Sequence, residues 1–122
     1  MRIVVADSQH KVRRALKVLL KRQTGMEVVA EASVAQDLLD KVNSHKPELV
    51  LLHWRLGGAQ TAEFVAELRK ASPGLRVVAL SARTELRPAA LAAGVDAFVC
   101  KMDAPERLLC VLQELSAQEL AT

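Results

Sequence analysis

Five short apolar runs recur along this chain at near-regular intervals, and that rhythm restricts its fold more than any other feature. "RIVVA" (2–6), "MEVVAE" (26–31), "ELVLL" (48–52), "LRVVALS" (75–81) and "AFVC" (97–100) have the composition and length of strands. Between them lie segments of helical periodicity near 9–22, 34–45, 60–71, 85–93 and 104–118. Most of the runs are apolar on both faces, as strands are when helices cover both sides of a parallel sheet. The pattern predicts an α/β protein, a (βα)5 three-layer sandwich around a five-stranded parallel sheet. No linker, repeat or low-complexity tract interrupts it, so residues 1–118 read as one domain and 119–122 as a tail or the start of a linker.

Local signals place the element ends. Ser33 with Gln36, and Asp103 with Glu106, have capping-box spacing. Ser8 is a good N-cap type ahead of the first helix, and Pro105 suits a first helical turn. Gly25, Gly74 and Gly94 sit where helices should stop.

A composition of 51% apolar and 25% charged residues suits a chain that buries a full core. The longest apolar runs are about five residues, far below the roughly 20 that span a bilayer, and the N-terminus turns polar too early for a signal peptide. The expected compartment is the cytoplasm, with no membrane partner. Cys100 and Cys110 lack any zinc-ligand companion or CxxC spacing, and both are expected to be buried thiols. The net charge of +3 is uneven, because the basic residues of 1–22 face Asp7 alone.

In an open parallel sheet, sites form at the carboxyl ends of the strands. That rule gathers Asp7 and Ser8 after strand 1, His53 after strand 3, Ser81 after strand 4 and Lys101 after strand 5. "ELVLLHWRLGG" (48–58) is the most pointed of these strand ends, since its apolar run stops on His53 ahead of a Gly-Gly pair.

With these residues in place, the chain resembles the receiver domain of two-component response regulators. "RIVVADSQHKVRRAL", "KPELVLLHWRLGG", "VVALSAR" and "AAGVDAFVCK" follow in the order and spacing of that family's blocks. "DAFVCKMDAPERLL" is most similar to the NarL/FixJ-like subgroup. The resemblance implies a flavodoxin-like, receiver-like fold and a phosphorylation switch. Its parts would be an acidic pair after strand 1, an acceptor Asp ending strand 3, a Ser or Thr after strand 4, an aromatic switch residue in strand 5 and a Lys beyond it. Here the pair reads Asp7-Ser8 and the acceptor position holds His53, while Ser81, Phe98 and Lys101 match.

The two departures fall where the family holds Mg²⁺. That ion demands oxygen ligands, chiefly carboxylates, and a neutral hydroxyl and an imidazole nitrogen replace them poorly. With Asp7 against Lys101 and His53 neutral, the site sums to zero charge. The expectation is a degenerate site without useful Mg²⁺ binding, without aspartyl phosphate and without catalytic residues.

For His53 four readings stay open: local hydrogen bonding in place of a lost Asp, a pH or charge switch, phospho-histidine, or a metal ligand. Trp54 either covers the site or packs against a neighbouring loop. Helix 1 carries an apolar arc of Val12, Ala15, Leu16, Leu19 and Leu20, opposite a basic arc that includes Arg13, Arg14, Lys17 and Lys21. The ordinary reading of such a charged arc is a solvated face, and it also leaves room for an acidic protein partner; Leu91, expected to be exposed, suits the separate face that receiver domains commonly use to pair. No nucleic-acid motif or interleaved aromatics accompany the patch, so direct nucleic-acid binding by this domain is not expected.

The favoured reading is an atypical receiver acting by protein contact, independently of phosphorylation, and regulating a DNA-binding output outside this chain. The alternative is unconventional phosphotransfer or small-ligand sensing at the degenerate site. A flavin-binding relative of the same architecture is disfavoured, because "ADSQHKVRR" has too few small residues to wrap a phosphate.

Overall fold

The computed structural model describes every residue except 57–60, 104 and 122, and of residues 118–121 the backbone alone. Five strands alternate with five helices: β1 (Arg2–Ala6), α1 (His10–Lys21), β2 (Glu27–Ala32), α2 (Ala35–His45), β3 (Leu49–His53), α3 (Ala62–Ala71), β4 (Arg76–Ser81), α4 (Arg87–Ala92), β5 (Ala97–Cys100) and α5 (Pro105–Ala121). A 3₁₀ turn, Thr84–Leu86, leads into α4. The strands form one parallel sheet in the order β2-β1-β3-β4-β5. This is the predicted sandwich.

Alternation along each strand divides the core in two. Val4, Val50, Leu52, Val77, Ala79 and Phe98 face one way, against Leu38 and Val42 of α2, Phe64 and Leu68 of α3, and Ala90 of α4. Ile3, Val5, Leu51, Val78, Leu80 and Val99 face the other way, against Leu20 of α1 and Leu108, Leu112 and Leu115 of α5. Strands apolar on both faces are thereby satisfied. Only β2, at the sheet edge, is half-exposed along most of its length.

Several local expectations hold. Pro105 opens α5. Gly25, Gly74 and Gly94 have φ of 82°, 86° and 103°, the left-handed region in which a Cβ is costly. Cys100 is buried and Leu91 is 46% exposed.

Others are corrected. The residue before α1 is Gln9 rather than Ser8, and it makes no side-chain cap. Ser8 itself is exposed. Helix α2 starts after Val34 without a capping bond, and Gln36 instead donates to Asp40 Oδ1 at 3.1 Å, one helical turn on, so the Ser33–Gln36 box does not form. Amide donors on a solvated first turn can bond water, so the box was not compulsory. A cap that the sequence reading passed over is real: Thr61 Oγ1 accepts the Phe64 N–H at 3.1 Å and starts α3. Cys110 is exposed on α5, because that helix turns Leu108, Val111, Leu112 and Leu115 inward. Helix α5 runs Pro105–Ala121, past the end of the helical segment expected near 104–118. The Asp103–Glu106 box runs through residue 104, and the Gly57-Gly58 turn falls at 57–58; both lie outside the described residues.

Candidate functional site

The sheet order reverses between β1 and β3, and the crevice at the carboxyl ends of these strands is where an open α/β sheet places a site. Asp7 stands directly after β1, its side chain only 2% exposed. A buried carboxylate needs partners for both oxygens. Oδ1 accepts the Gln9 N–H at 2.9 Å, and Oδ2 accepts from Lys101 Nζ at 2.7 Å. The backbone around Asp7 is equally tied. Its N–H donates to the Ala32 carbonyl at 3.0 Å, and its carbonyl accepts Arg13 Nη1 at 2.7 Å.

Lys101 reaches Asp7 because β5 delivers it beside β4, where its N–H donates to the Ser81 carbonyl at 2.9 Å. Ser81 is fully buried as the last residue of β4, and its Oγ accepts the Arg83 N–H at 3.0 Å. This short turn holds the start of the β4–α4 connection to the sheet. Phe98 lies inward in the core, with the Arg87 guanidinium 5.2 Å from its ring centroid, within cation–π range.

His53 closes β3, one residue further into the strand than expected, with its side chain 17% exposed. Among the described residues its Nδ1 is buried without a hydrogen-bond partner, and it lies 3.7 Å from Asp7 Oδ2, too far for a hydrogen bond. Burial is the main cause that lowers the His53 pKa below its usual 6.5, and the Lys101 cation adds to it; the Asp7 carboxylate opposes both. Imidazole is therefore the neutral form at physiological pH. The Trp54 side chain is buried in the core, and its backbone N–H donates to the Leu80 carbonyl at 2.8 Å. Neither expected role, cover over the site or packing on a neighbouring loop, describes it: Trp54 is 3% exposed within the core cluster.

The structure thus brings Asp7, His53, Ser81 and Lys101 to one edge, with Phe98 beneath, and leaves Ser8 facing solvent. The donor set does not fit Mg²⁺. It offers one carboxylate, both of whose oxygens are already bonded, together with an imidazole nitrogen and an exposed hydroxyl. A dication there would stand beside the Lys101 ammonium with the single Asp7 carboxylate to compensate both.

The contacts of Arg13, Lys17 and Arg87 escaped the sequence reading. Arg13 is drawn off the outer arc of α1, its guanidinium bridging the Asp7 carbonyl and Glu31 Oε1 at 3.1 Å. Lys17 joins it on Glu31 at 2.7 Å, and this bond is the chief cause lowering the Glu31 pKa. Arg14 and Lys21 remain exposed. The acidic partner on β2 was printed in "MEVVAE", but only the parallel pairing of β1 with β2 sets it opposite α1. Arg87 over Phe98 likewise depends on the entry of the chain into α4.

A parallel five-stranded sandwich with a buried Asp, a Lys and a hydroxyl converging at the switch point defines a receiver-type signalling module. The model of the response regulator receiver domain matches residues 3–113, and the chain belongs to that family. It is 29% identical over 111 residues to the uncharacterized transcriptional regulatory protein YhcZ of Bacillus subtilis, covering 89% of this chain and 52% of YhcZ. It is 28% identical over 103 residues to the response regulator protein VraR of Staphylococcus epidermidis, covering 83% of this chain and 49% of VraR. The chain therefore spans about half the length of these curated relatives. Among solved structures, the signal receiver domain of the putative response regulator NarL from Mycobacterium tuberculosis superposes with a TM-score of 0.81 at 26% identity, covering 94% of this chain and 95% of that one. Among the described residues, no helix is long and apolar enough to cross a membrane.

Proposed function

We propose that this receiver domain signals without aspartyl phosphorylation, through protein contact, and that it regulates a DNA-binding output lying beyond these residues. The observation that carries the reading is the Asp7–Lys101 ion pair at 2.7 Å beside a neutral His53. An acyl phosphate needs a carboxylate oxygen at the end of β3, and His53 supplies none. The metal that would neutralise an incoming phosphoryl group has only Asp7 to hold it, and Asp7 is engaged by Lys101. The name and length of YhcZ support a transcriptional output in the parent protein. Exposed Arg14 and Lys21 on α1, and exposed Leu91 on α4 across the sheet, offer two separate contact surfaces for a signalling protein or a second copy of the chain.

The test is reversal. Ser8→Asp, His53→Asp and the double variant are titrated with beryllofluoride, with and without Mg²⁺, and followed by amide chemical shifts. Mg²⁺-dependent binding is expected in the double variant alone. Saturable binding by the unaltered chain would overturn the reading, as would a phosphate adduct on His53 after treatment with acetyl phosphate. That adduct would instead establish the unconventional phosphotransfer that the buried, unpartnered Nδ1 leaves chemically open.

A further inference from the structure

With Ser8 and His53 where carboxylates would stand, the strand-end crevice has the opposite sign of charge. The charged groups that act on His53 are Asp7 after β1, Arg55 after β3 and Lys101 after β5, one anion against two cations. With the imidazole neutral, positive charge is in excess. Arg55 is exposed, and its charge is also felt by Glu85 in the β4–α4 connection, so it stands on the β4 side of the crevice.

Hydrogen-bond donors are left over at the same place. An ammonium has three N–H groups, and Lys101 gives one of them to Asp7 Oδ2 at 2.7 Å. Ser81 Oγ accepts the Arg83 N–H at 3.0 Å, but among the described residues its own proton finds no acceptor, although the residue is fully buried. His53 Nδ1, also buried and unpartnered, lies 3.7 Å from the oxygen that Lys101 holds. Buried polar atoms are seldom left so in a finished site. Solvent reaches the group past His53 and Lys101, whose side chains are both partly exposed. Surplus donors beside surplus positive charge are complementary to an anion that brings its own acceptor oxygens.

We propose that this crevice binds a small organic monocarboxylate, non-covalently and without a metal, its oxygens taken by the Lys101 ammonium and the Ser81 hydroxyl and its charge faced by Arg55. One negative charge balances the site. A dianion would leave a charge uncompensated beside buried Asp7, which a partly desolvated crevice penalises. The proposal rests on the reading that neither Mg²⁺ nor acyl phosphate occupies this edge, since either would change the charge balance. The Lys101 N–H donates to the Ser81 carbonyl and the Arg83 N–H to Ser81 Oγ, so an occupant drawing on Lys101 and Ser81 acts on the start of the β4–α4 connection. A carboxylate there can bias the domain where phosphate does not.

The probe is acetate, titrated into the full chain against chloride at constant ionic strength and followed by amide shifts and by the ring shifts of His53, with sulfate as the dianion. Saturable acetate shifts are expected at Arg55, Ser81, Arg83 and Lys101, with sulfate weaker by about tenfold, the scale of one charge-assisted contact. The His53 titration midpoint should rise with acetate, because a bound carboxylate offsets the Lys101 and Arg55 cations that help to lower it. Arg55→Glu, at an exposed position, should weaken acetate by about tenfold, and Arg55→Lys should keep most of the binding. Asp7→Asn removes the competing carboxylate and frees Lys101, so it should bind acetate more tightly, a gain that loss of stability cannot produce. No saturable shift at these residues, equal affinity for sulfate, or indifference to both Arg55→Glu and Asp7→Asn would overturn the proposal. Beryllofluoride with Mg²⁺, added to the unaltered chain, separates the two readings. Saturation there would remove the reading on which the proposal rests, and silence toward both beryllofluoride and acetate would overturn the proposal alone.

Discussion

Asp7 and Lys101 are 94 positions apart in the chain, yet their side chains meet at 2.7 Å, joining the first strand end to the last across the sheet. The carboxylate is almost fully buried and the ammonium about three-quarters so. Removing one partner of such a pair strands the other charge, which costs more than the pair itself contributes.

Asp7→Asn should therefore destabilise the domain by about 2–3 kcal/mol, reduced from the fully buried case because Lys101 keeps some access to water. Asn retains an oxygen for the Gln9 N–H, so the loss reports on the charge. Adding Lys101→Met should recover the larger part. Urea denaturation of the two single variants and the double variant measures the coupling; additive effects would show that the pair is not the joint described here.

The lowered pKa of His53 makes stability pH-dependent in a defined direction. The unfolded chain takes up a proton near the ordinary value of 6.5, whereas the folded chain resists until lower pH. Across that window the unfolded state binds more protons, so stability is complete above about pH 6.5 and falls as pH drops toward the folded value. Melting temperatures between about pH 8 and 5 should decline in this way for the unaltered protein, and His53→Asn should flatten the upper part of the decline. Parallel curves would show that His53 is not the group responsible.

Asp96 is a second joint. Its Oδ2 accepts from the Val77 N–H and from Arg69 Nη2, both at 2.7 Å, and its backbone N–H donates to the Val77 carbonyl at 2.8 Å. Arg69 Nη1 also donates to the Gly94 carbonyl at 2.7 Å. Asp96→Ala leaves the Val77 N–H of β4 unpaired and removes the acceptor of Arg69 Nη2, whose guanidinium keeps its bond to the Gly94 carbonyl, and should cost about 2–3 kcal/mol. Asp96→Asn, which keeps an acceptor, should cost less. Chemical denaturation ranks the two, and equal losses would contradict the hydrogen-bond account.

Arg13 and Lys17 share Glu31 but do not share a role. Lys17 is half-exposed, and Lys17→Ala should change stability by less than about 1 kcal/mol, as surface ion pairs do. Arg13 also donates to the Asp7 carbonyl, so Arg13→Ala should cost about 1 kcal/mol more than Lys17→Ala. Thermal melts of the two variants in low and high salt separate the contributions: salt should erase most of the Lys17 effect and little of the Arg13 effect.

The strand ends were legible in the chain because parallel strands covered on both sides need continuous apolar runs, and a polar residue closing such a run stands out. Asp7, His53, Ser81 and Lys101 were found in that way. Caps were less legible. Ser8 and Ser33 have the side chains of N-caps, but the oxygen that meets the amide after β1 belongs to Asp7, and α2 starts without a side-chain cap. Cap chemistry is short-ranged, and a shift of one residue in the helix start reassigns it.

By itself the sequence determined the alternation of elements, the two-sided burial of the strands and the polar residues that close them, because these follow from residue types and spacing. Tertiary structure alone decided which groups neutralise one another. Lys101 meets Asp7 through the order of the strands, and Arg13 on Glu31 and Arg87 over Phe98 depend on how each helix sits against the sheet. Placements of that kind are set by packing across the fold, and no local pattern encodes them.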